Sequence, residues 1–268
     1  HTHTRGGLGG IQDKRHGMAV CQQLNIPVIT IKYDVSKAHR RTAALVKDRK
    51  YLVVKLLDEN GHECYYVNLV HTYGVASAQH YWGRTAALFV RLQYHLGPDI
   101  VYVYVFGDDF SPLVRDTHPL ATLAYILLFV ETYGLPVAYH KIYVGYNETY
   151  VGYITHLKTH QIDITQDKKD GLQQLANQIT PGNPIVLKTI VTYTHRMSWA
   201  VQILETLRAF LQPLWSFLKG QDANNNKDAY RTPPAIVRFC VQYIQIQMKR
   251  TPTPCSEFRK PHPGTGAT

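Results

Sequence analysis

Apolar and polar positions change period along the chain, and those changes predict its elements. Val28-Ile-Thr-Ile-Lys-Tyr33 alternates, the period of a half-buried strand, and Asp34 ends it. A short helical stretch is expected over 36–46. Two β-rich runs, Tyr51–Leu57 and Glu63–Val70, flank Asp58-Glu-Asn-Gly61, and Asn-Gly at such a junction predicts a hairpin. From Ala76 to Tyr94, apolar residues recur at Ala78, Tyr81, Trp82, Ala86, Phe89 and Leu92, one face of a helix that Gly97-Pro98 stops. Ile100–Phe106 is the strongest strand signal, with Val on one face and aromatics on the other. Gly107-Asp108-Asp109 predicts a tight turn from which Phe110–Arg115 returns antiparallel. Asp116 or Thr117 is expected to cap a helix with Pro119 in its first turn and Leu120, Leu123, Leu127 and Val130 along it, ended by Gly134 and Pro136. Val144–Ile154 reads as a hairpin turning at Asn147-Glu148.

Without the early hairpin, residues 28–154 spell β-α-β-β-α-β, the order of a split sheet with helices on one face, an α+β class. In that arrangement the strands joined by the turn at 107–109 are expected to be the central pair. Residues 1–17, rich in Gly, Arg and His, read as loop; the Gly cluster follows no strand and lacks the Gly-Lys-Ser/Thr ending of a phosphate loop. Beyond Asp167 the pattern is helical. Ala200, Ile203, Leu204, Leu207, Phe210, Leu211, Leu214 and Phe217 form one amphipathic stripe, expected to kink or break at Pro213. A shorter helix follows over Ile236–Met248, then a Pro/Gly-rich tail from Pro252.

Composition narrows the class. Of 268 residues, 45% are hydrophobic and 18% charged, too apolar for a disordered chain and too charged for a membrane one. No apolar stretch approaches the roughly 20 residues a spanning helix needs, so no membrane partner is expected. Four cysteines without a C-x-x-C pair exclude a disulfide scaffold and a cysteine-based zinc finger, and predict a reducing, intracellular setting. The polar opening without Met predicts an internal piece of a longer protein. The formal charge is +10, divided as +3 over residues 1–154 and +7 over 155–268. A basic second half suits a polyanion, and equally suits solubility alone.

Three acids carry candidate chemistry. Asp34 ends the first strand, and Asp108 and Asp109 occupy a turn between later strands, so all three can converge on one sheet edge. Clustered carboxylates repel, and cations between them relieve the repulsion. Hard oxygen ligands suit Mg²⁺, and two ions about 3.5–4 Å apart can clamp the attacking and leaving oxygens of a phosphoryl displacement. Gly-Asp-Asp is also simply a good turn.

With those residues placed, Ile31-Lys-Tyr-Asp34-Val-Ser-Lys-Ala-His39-Arg resembles the first palm motif of reverse transcriptases. Tyr73-Gly74-Val-Ala-Ser77-Ala78-Gln-His-Tyr-Trp82 resembles their second, and Tyr104-Val-Phe106-Gly107-Asp108-Asp109-Phe110 their third. Gly134-Leu-Pro136-Val-Ala-Tyr-His-Lys141 is similar to the fourth, and Tyr150-Val-Gly152-Tyr-Ile154 to the primer-grip hairpin. Met197-Ser-Trp-Ala through Trp215 resembles a retroelement thumb. The wording is nearest the tyrosine-recombinase, DIRS-like class.

The resemblance implies a polymerase palm over residues 27–155 with a fingers hairpin at about 47–70, after a fingers or loop remnant over 1–26. A helical thumb and connection over 156–250 and a flexible tail over 251–268 would follow. It implies that Asp34, Asp108 and Asp109, with Val35, hold two Mg²⁺ ions (Mn²⁺ as substitute) and that Lys141 gives a proton to pyrophosphate. Val35, Ser36 and Lys37 would lie against a deoxynucleoside triphosphate. His39 would test its sugar, and Gly74 and Ser77 would shape the templating pocket. Val151, Gly152 and Tyr153 would grip the primer of an RNA or DNA template.

The sequence departs from the family at several points. The gate at His39 is usually Phe or Tyr, and Gln79 stands where proline is usual. Gly107 before the Asp pair is similar to viral RNA-templated RNA polymerases, which carry a second Asp near the place of His39. Only 33 residues precede Asp34, and Lys14 and Arg15 are poor substitutes for the basic residues that grip the triphosphate. A nucleic-acid-binding remnant without catalysis and a two-metal nuclease are the rival readings. His156-x-x-x-His160 has helical metal-ligand spacing but falls in a loop or strand end, and His62-Glu63-Cys64 lacks the Pro-Cys-x-x-Cys of a deaminase.

Overall fold

The structure, a computed structural model, describes residues 9–255 except 73, 74, 98 and 224. The chain divides into two compact units: residues 1–10 with 23–146, and residues 11–22 with 147–268. The first helix, α1 (Ile11–Gln23), therefore belongs almost wholly to the second unit. It replaces the loop expected there. Ile11, Met18 and Cys21 are buried at helical spacing, but the intervening core positions are taken by Lys14 and Arg15, which hides the apolar period.

The first unit holds β1 (Val28–Asp34), the hairpin β2 (Val53–Leu57) and β3 (Glu63–Val67), α2 (Ala76–Gln93), β4 (Ile100–Phe106), β5 (Asp109–Arg115), α3 (Pro119–Thr132) and β6 (Tyr143–Gly145). The main sheet runs β4-β5-β1-β6, with the three strand pairings antiparallel. That is a split β-α-β-β-α-β order, and it corrects one detail: the central pair is β5 and β1, while β4 is an edge. Ile29, Ile31, Tyr33, Phe110 and Val114 point to one face, where Trp82, Ala86 and Phe89 of α2 and Ile126 and Val130 of α3 complete the core. The residue before α3 is His118 rather than Asp116 or Thr117, and its side chain makes no capping bond. In place of a helix over 36–46 the chain makes short 3₁₀ turns at Ala38–Arg41 and Val46–Tyr51. The β2–β3 ribbon turns where Asp58 Oδ1 accepts from the amides of Asn60 and His62 at 2.9 and 2.7 Å.

The second unit continues with β7 (Asn147–Tyr150), β8 (Tyr153–His156), β9 (Gln161–Ile164), α4 (Gln166–Ile179), β10 (Ile185–Val186), α5 (Leu187–Ala200), α6 (Gln212–Gly220), β11 (Tyr230–Arg231), α7 (Ala235–Met248) and β12 (Thr253–Pro254). Its four-stranded sheet runs β12-β9-β8-β7. The β7–β8 hairpin turns at Val151-Gly152, not at Asn147-Glu148, because Asn147 is already a strand residue paired with His156. Residues 156–164 hold the end of β8, a turn and β9, so the helical region starts at Gln166. The long stripe is not one helix: α5 ends at Ala200, a 3₁₀ turn spans Glu205–Leu211, and Pro213 sits in the first turn of α6, where its missing N–H costs nothing.

Helix α1 is held by polar bonds within the second unit. Lys14 pairs with Glu148, both buried, and lies 4.5 Å over the Tyr150 ring. Arg15 donates to the carbonyls of Ile203 at 3.5 Å and Pro254 at 3.3 Å. Breaking a buried pair strands a charge, whereas replacing both partners can be neutral. Lys14→Met alone should therefore cost about 3–5 kcal/mol in urea unfolding, and adding Glu148→Leu should recover most of it.

None of the four cysteines is in a disulfide. Cys21, Cys240 and Cys255 are buried, and burial pushes the Cys255 thiol up to about 12, so it stays protonated and unreactive at pH 8. Cys64, on the β2–β3 ribbon, is partly exposed. Iodoacetamide at pH 8 should label native protein at Cys64 first, and the other three only on unfolding, read by peptide mass.

Candidate active site

The β1–β5 ladder assembles the site. Tyr33 faces Phe110 and Asp34 faces Asp109 across it. The Tyr33 and Phe110 rings stack at 5.0 Å on the helix-covered face, and the strand period of two sends Asp34 and Asp109 to the other face. Phe106 pairs with Asp109, so Gly107-Asp108 is a two-residue turn. Gly107 has φ +64°, which the first central position of a type II′ turn demands. The turn is tied from two sides. The Gly107 carbonyl accepts from Trp82 Nε1 at 2.7 Å, and the Asp108 carbonyl accepts from the Val35 amide at 3.1 Å.

Charge at this corner is shared between three acids and two lysines. The Asp34 carboxylate is buried and accepts from Lys141 Nζ at 2.7 Å. Lys141 is presented by a 3₁₀ turn, Tyr139–Lys141, which β1 holds through the Ala138 amide on the Asp34 carbonyl at 2.9 Å and a Val35–Val137 bridge. Lys32 Nζ lies 3.3 Å from Asp109 Oδ2. Burial pushes the Asp108 carboxyl up, and the Asp34 and Asp109 charges push it further, with Lys141 opposing. The hydrogen bond to Asp34 raises Lys141, keeping it protonated. Among the described residues no three His, Cys, Asp or Glu side chains stand arranged for a metal ion.

Asp34, Val35, Asp108, Asp109 and Lys141 thus come together, and Ser36, Lys37 and His39 follow directly on β1. Val35 is fully buried. Its amide is committed to Asp108, and that of Ser36 donates to the Pro136 carbonyl at 2.9 Å, so a triphosphate could not take those two N–H groups without displacing the fold's own bonds. Lys37 has φ +55° and opens the 3₁₀ turn that carries the half-buried His39. Ser77 is exposed in the first turn of α2; Gly74 lies outside the described residues. Val151, Gly152 and Tyr153 belong to the second unit, at the β7–β8 turn. Lys14 and Arg15 are committed to the second unit's interior and are no triphosphate grip. His156 and His160 lie in β8 and the turn after it, not on a helix. Sequence reasoning missed Lys32, though its place two residues before Asp34 puts both on one strand face. The Trp82 bond to Gly107 has no sequence signal.

The sequence matches no protein-family model and no curated protein. Solved structures share the fold. A foamy viral protease-reverse transcriptase in complex with double-stranded DNA matches at TM-score 0.60 and 14% identity, over 83% of this chain and 35% of that one. The foamy viral protease-reverse transcriptase in complex with an RNA/DNA hybrid matches at TM-score 0.58 and 13% identity, over 92% of this chain and 30% of that one. At such identity the likeness is one of fold, and this chain spans about a third of the length of those chains. No helix among the described residues is long and apolar enough to cross a membrane.

Trp82→Phe keeps an aromatic ring in the core, removes the donor to Gly107 and leaves a small cavity where the larger indole was. Leaving that carbonyl without its partner should cost about 1–3 kcal/mol, with the cavity adding to it, so that urea unfolding should show a loss of at least about 1 kcal/mol.

Proposed function

We propose that this chain is the RNA-directed DNA polymerase domain of a retrotransposon-like element of the DIRS-like class, with the first unit as palm and fingers hairpin and the second as thumb and connection. The observation that carries the reading is the direct pairing of Asp34 with Asp109 beside Asp108. A polymerase needs one acid from an early strand and two from a later turn at one place, and a merely structural turn does not. The likeness of fold to a protease-reverse transcriptase supports it.

Three carboxylates of like charge, with Asp108 pushed up by burial and then by the charge of Asp34 and Asp109, are ligands of the kind Mg²⁺ takes, and a dication would relieve their repulsion. Two Mg²⁺ ions, or Mn²⁺ in their place, would supply charge neutralisation at the attacking and leaving oxygens. Asp34, Asp108 and Asp109, with the Val35 carbonyl, would hold them. In the reaction the primer 3′-hydroxyl gives its proton to water and its oxygen bonds to the α-phosphorus of a deoxynucleoside triphosphate. The bond from that phosphorus to the oxygen bridging to the β-phosphate breaks, and pyrophosphate leaves. Lys141 enters protonated and supplies a proton to that leaving group once Asp34 has released it. His39 would meet the sugar, Ser77 and Gly74 the templating base, and the turn at Val151–Tyr153 the primer. Some of the basic side chains of the second unit would meet the duplex phosphates.

A second reading has one observation in its favour. Lys141 and Lys32 already neutralise two of the acids, as they would in a palm that binds nucleic acid without catalysis. Primer extension on an RNA template with Mg²⁺ separates the readings. Wild type should incorporate deoxynucleotides, and Asp108→Asn should lose about a hundredfold or more while still binding duplex, since metal charge stabilisation amounts to several kcal/mol. Binding without extension by wild type supports the second reading, and template cleavage would overturn both.

A further inference from the structure

The β7–β8 turn is tight in an unusual way. Val151 and Gly152 have φ +51° and +81°, the pattern of a type I′ turn, which prefers Asn-Gly over a β-branched residue. After it, Tyr153 is fully buried; its ring stacks on Trp199 at 4.0 Å and its hydroxyl donates to the Trp199 carbonyl at 2.7 Å. On Trp199 lies the ammonium of Lys168, 4.0 Å from the ring centroid. The same ammonium occupies the place a side chain at position 152 would fill: a Cβ there would come within 1.7 Å of Lys168 Nζ and 3.2 Å of Trp199 Cζ2. Gly152 is thus needed twice, for its backbone angle and to admit the lysine.

Lys168 stands in the first turn of α4, where a cation opposes the helix dipole. Its neighbour Lys169 offsets that cost by pairing with Asp163 at 2.7 Å. Lys168 has no such salt bridge or side-chain acceptor among the described residues; apart from the indole, it only lowers the nearby Asp167 by its charge. An ammonium with three donors, fixed over an aromatic ring at the lip of a turn, is prepared for an anion from outside the chain.

We propose that Lys168, seated between Gly152 and Trp199, is a binding site for a backbone phosphate of a nucleic acid duplex. This rests on reading the chain as a nucleic-acid-binding polymerase domain, though it needs only the binding and not the chemistry. Trp199 and Tyr153 are positioning residues: they hold the lysine's stem and the turn in one geometry, so that the phosphate meets a fixed charge.

The test is fluorescence polarisation with a short labelled RNA/DNA hybrid carrying a recessed DNA 3′ end, titrated at several salt concentrations. One lost phosphate contact reduces the slope of log affinity against log salt by about 0.9, which at about 0.15 M salt is roughly fivefold in affinity. Lys168→Met should show both losses, and Lys168→Arg should restore them. Gly152→Ala, which keeps the lysine but expels it from its seat, should lose as Lys168→Met does. Lys249→Met, removing equal charge elsewhere in the second unit, should leave the slope unchanged, with melting temperatures establishing that each variant folds. A wild-type slope in Lys168→Met overturns the site, as does an equal loss in Lys249→Met. No binding by wild type overturns the site together with the functional reading. Asp108→Asn, expected to abolish extension, should retain the Lys168-dependent slope, which separates failure of the chemistry from failure of the phosphate site.

Discussion

Strand β1 lying directly against β5 is the constraint on which the rest depends. Because side chains alternate, one register fixes two things at once. Tyr33 and Phe110 stack inward and fuse the strands to the helices, and Asp34 and Asp109 are driven outward to the same place. A slip of one residue would bury the acids against Trp82 and expose the aromatics, so the hydrophobic core enforces the meeting of the carboxylates. The stability of the unit and the geometry of the candidate chemistry are one and the same pairing.

Assembling three acids carries an electrostatic cost, and the chain meets it with its own cations. Lys141 arrives from a 3₁₀ turn stitched to the end of β1, and Lys32 comes from the strand itself. Asp108, on the turn between them, is left with burial and two negative neighbours, which push its carboxyl up. Trp82 and Val35 hold the turn by its backbone, so the repulsion does not open it.

Much of this was legible in the sequence, for a physical reason. Elements whose burial is one-sided show their period: β1, α2, β4, β5 and α3 lie close to where alternation, helical spacing and the Gly and Pro stops put them. Asp34 and the Asp108-Asp109 pair stood out because a strand end and a Gly-led turn are recognisable positions. What escaped notice breaks those rules. Helix α1 fills core positions with Lys14 and Arg15, and no pattern of apolar residues reveals it. The β7–β8 turn uses Val151 where turn chemistry favours Asn, so Asn147 drew the turn to the wrong place. Short strands such as β9 and β12 owe their existence to partners far along the chain. The lysine beside Asp109 and the indole bond to Gly107 are matters of tertiary geometry that no local signal encodes.

The allegiance of α1 to the second unit has a consequence for how the chain matures. Gln12 and Arg15 find their partners at Gln202, Ile203 and Pro254, some of the most distant pairings the chain can make. During synthesis this helix emerges before the rest of its own unit and must wait, with Met18 and Cys21 uncovered, until β12 has emerged. The first unit can close long before that, so its sheet forms as an insertion between two halves of a neighbour still being made. Completion of the second unit is thereby delayed until β12 has been made, and a chain released before that point would carry a finished first-unit sheet and an orphaned α1.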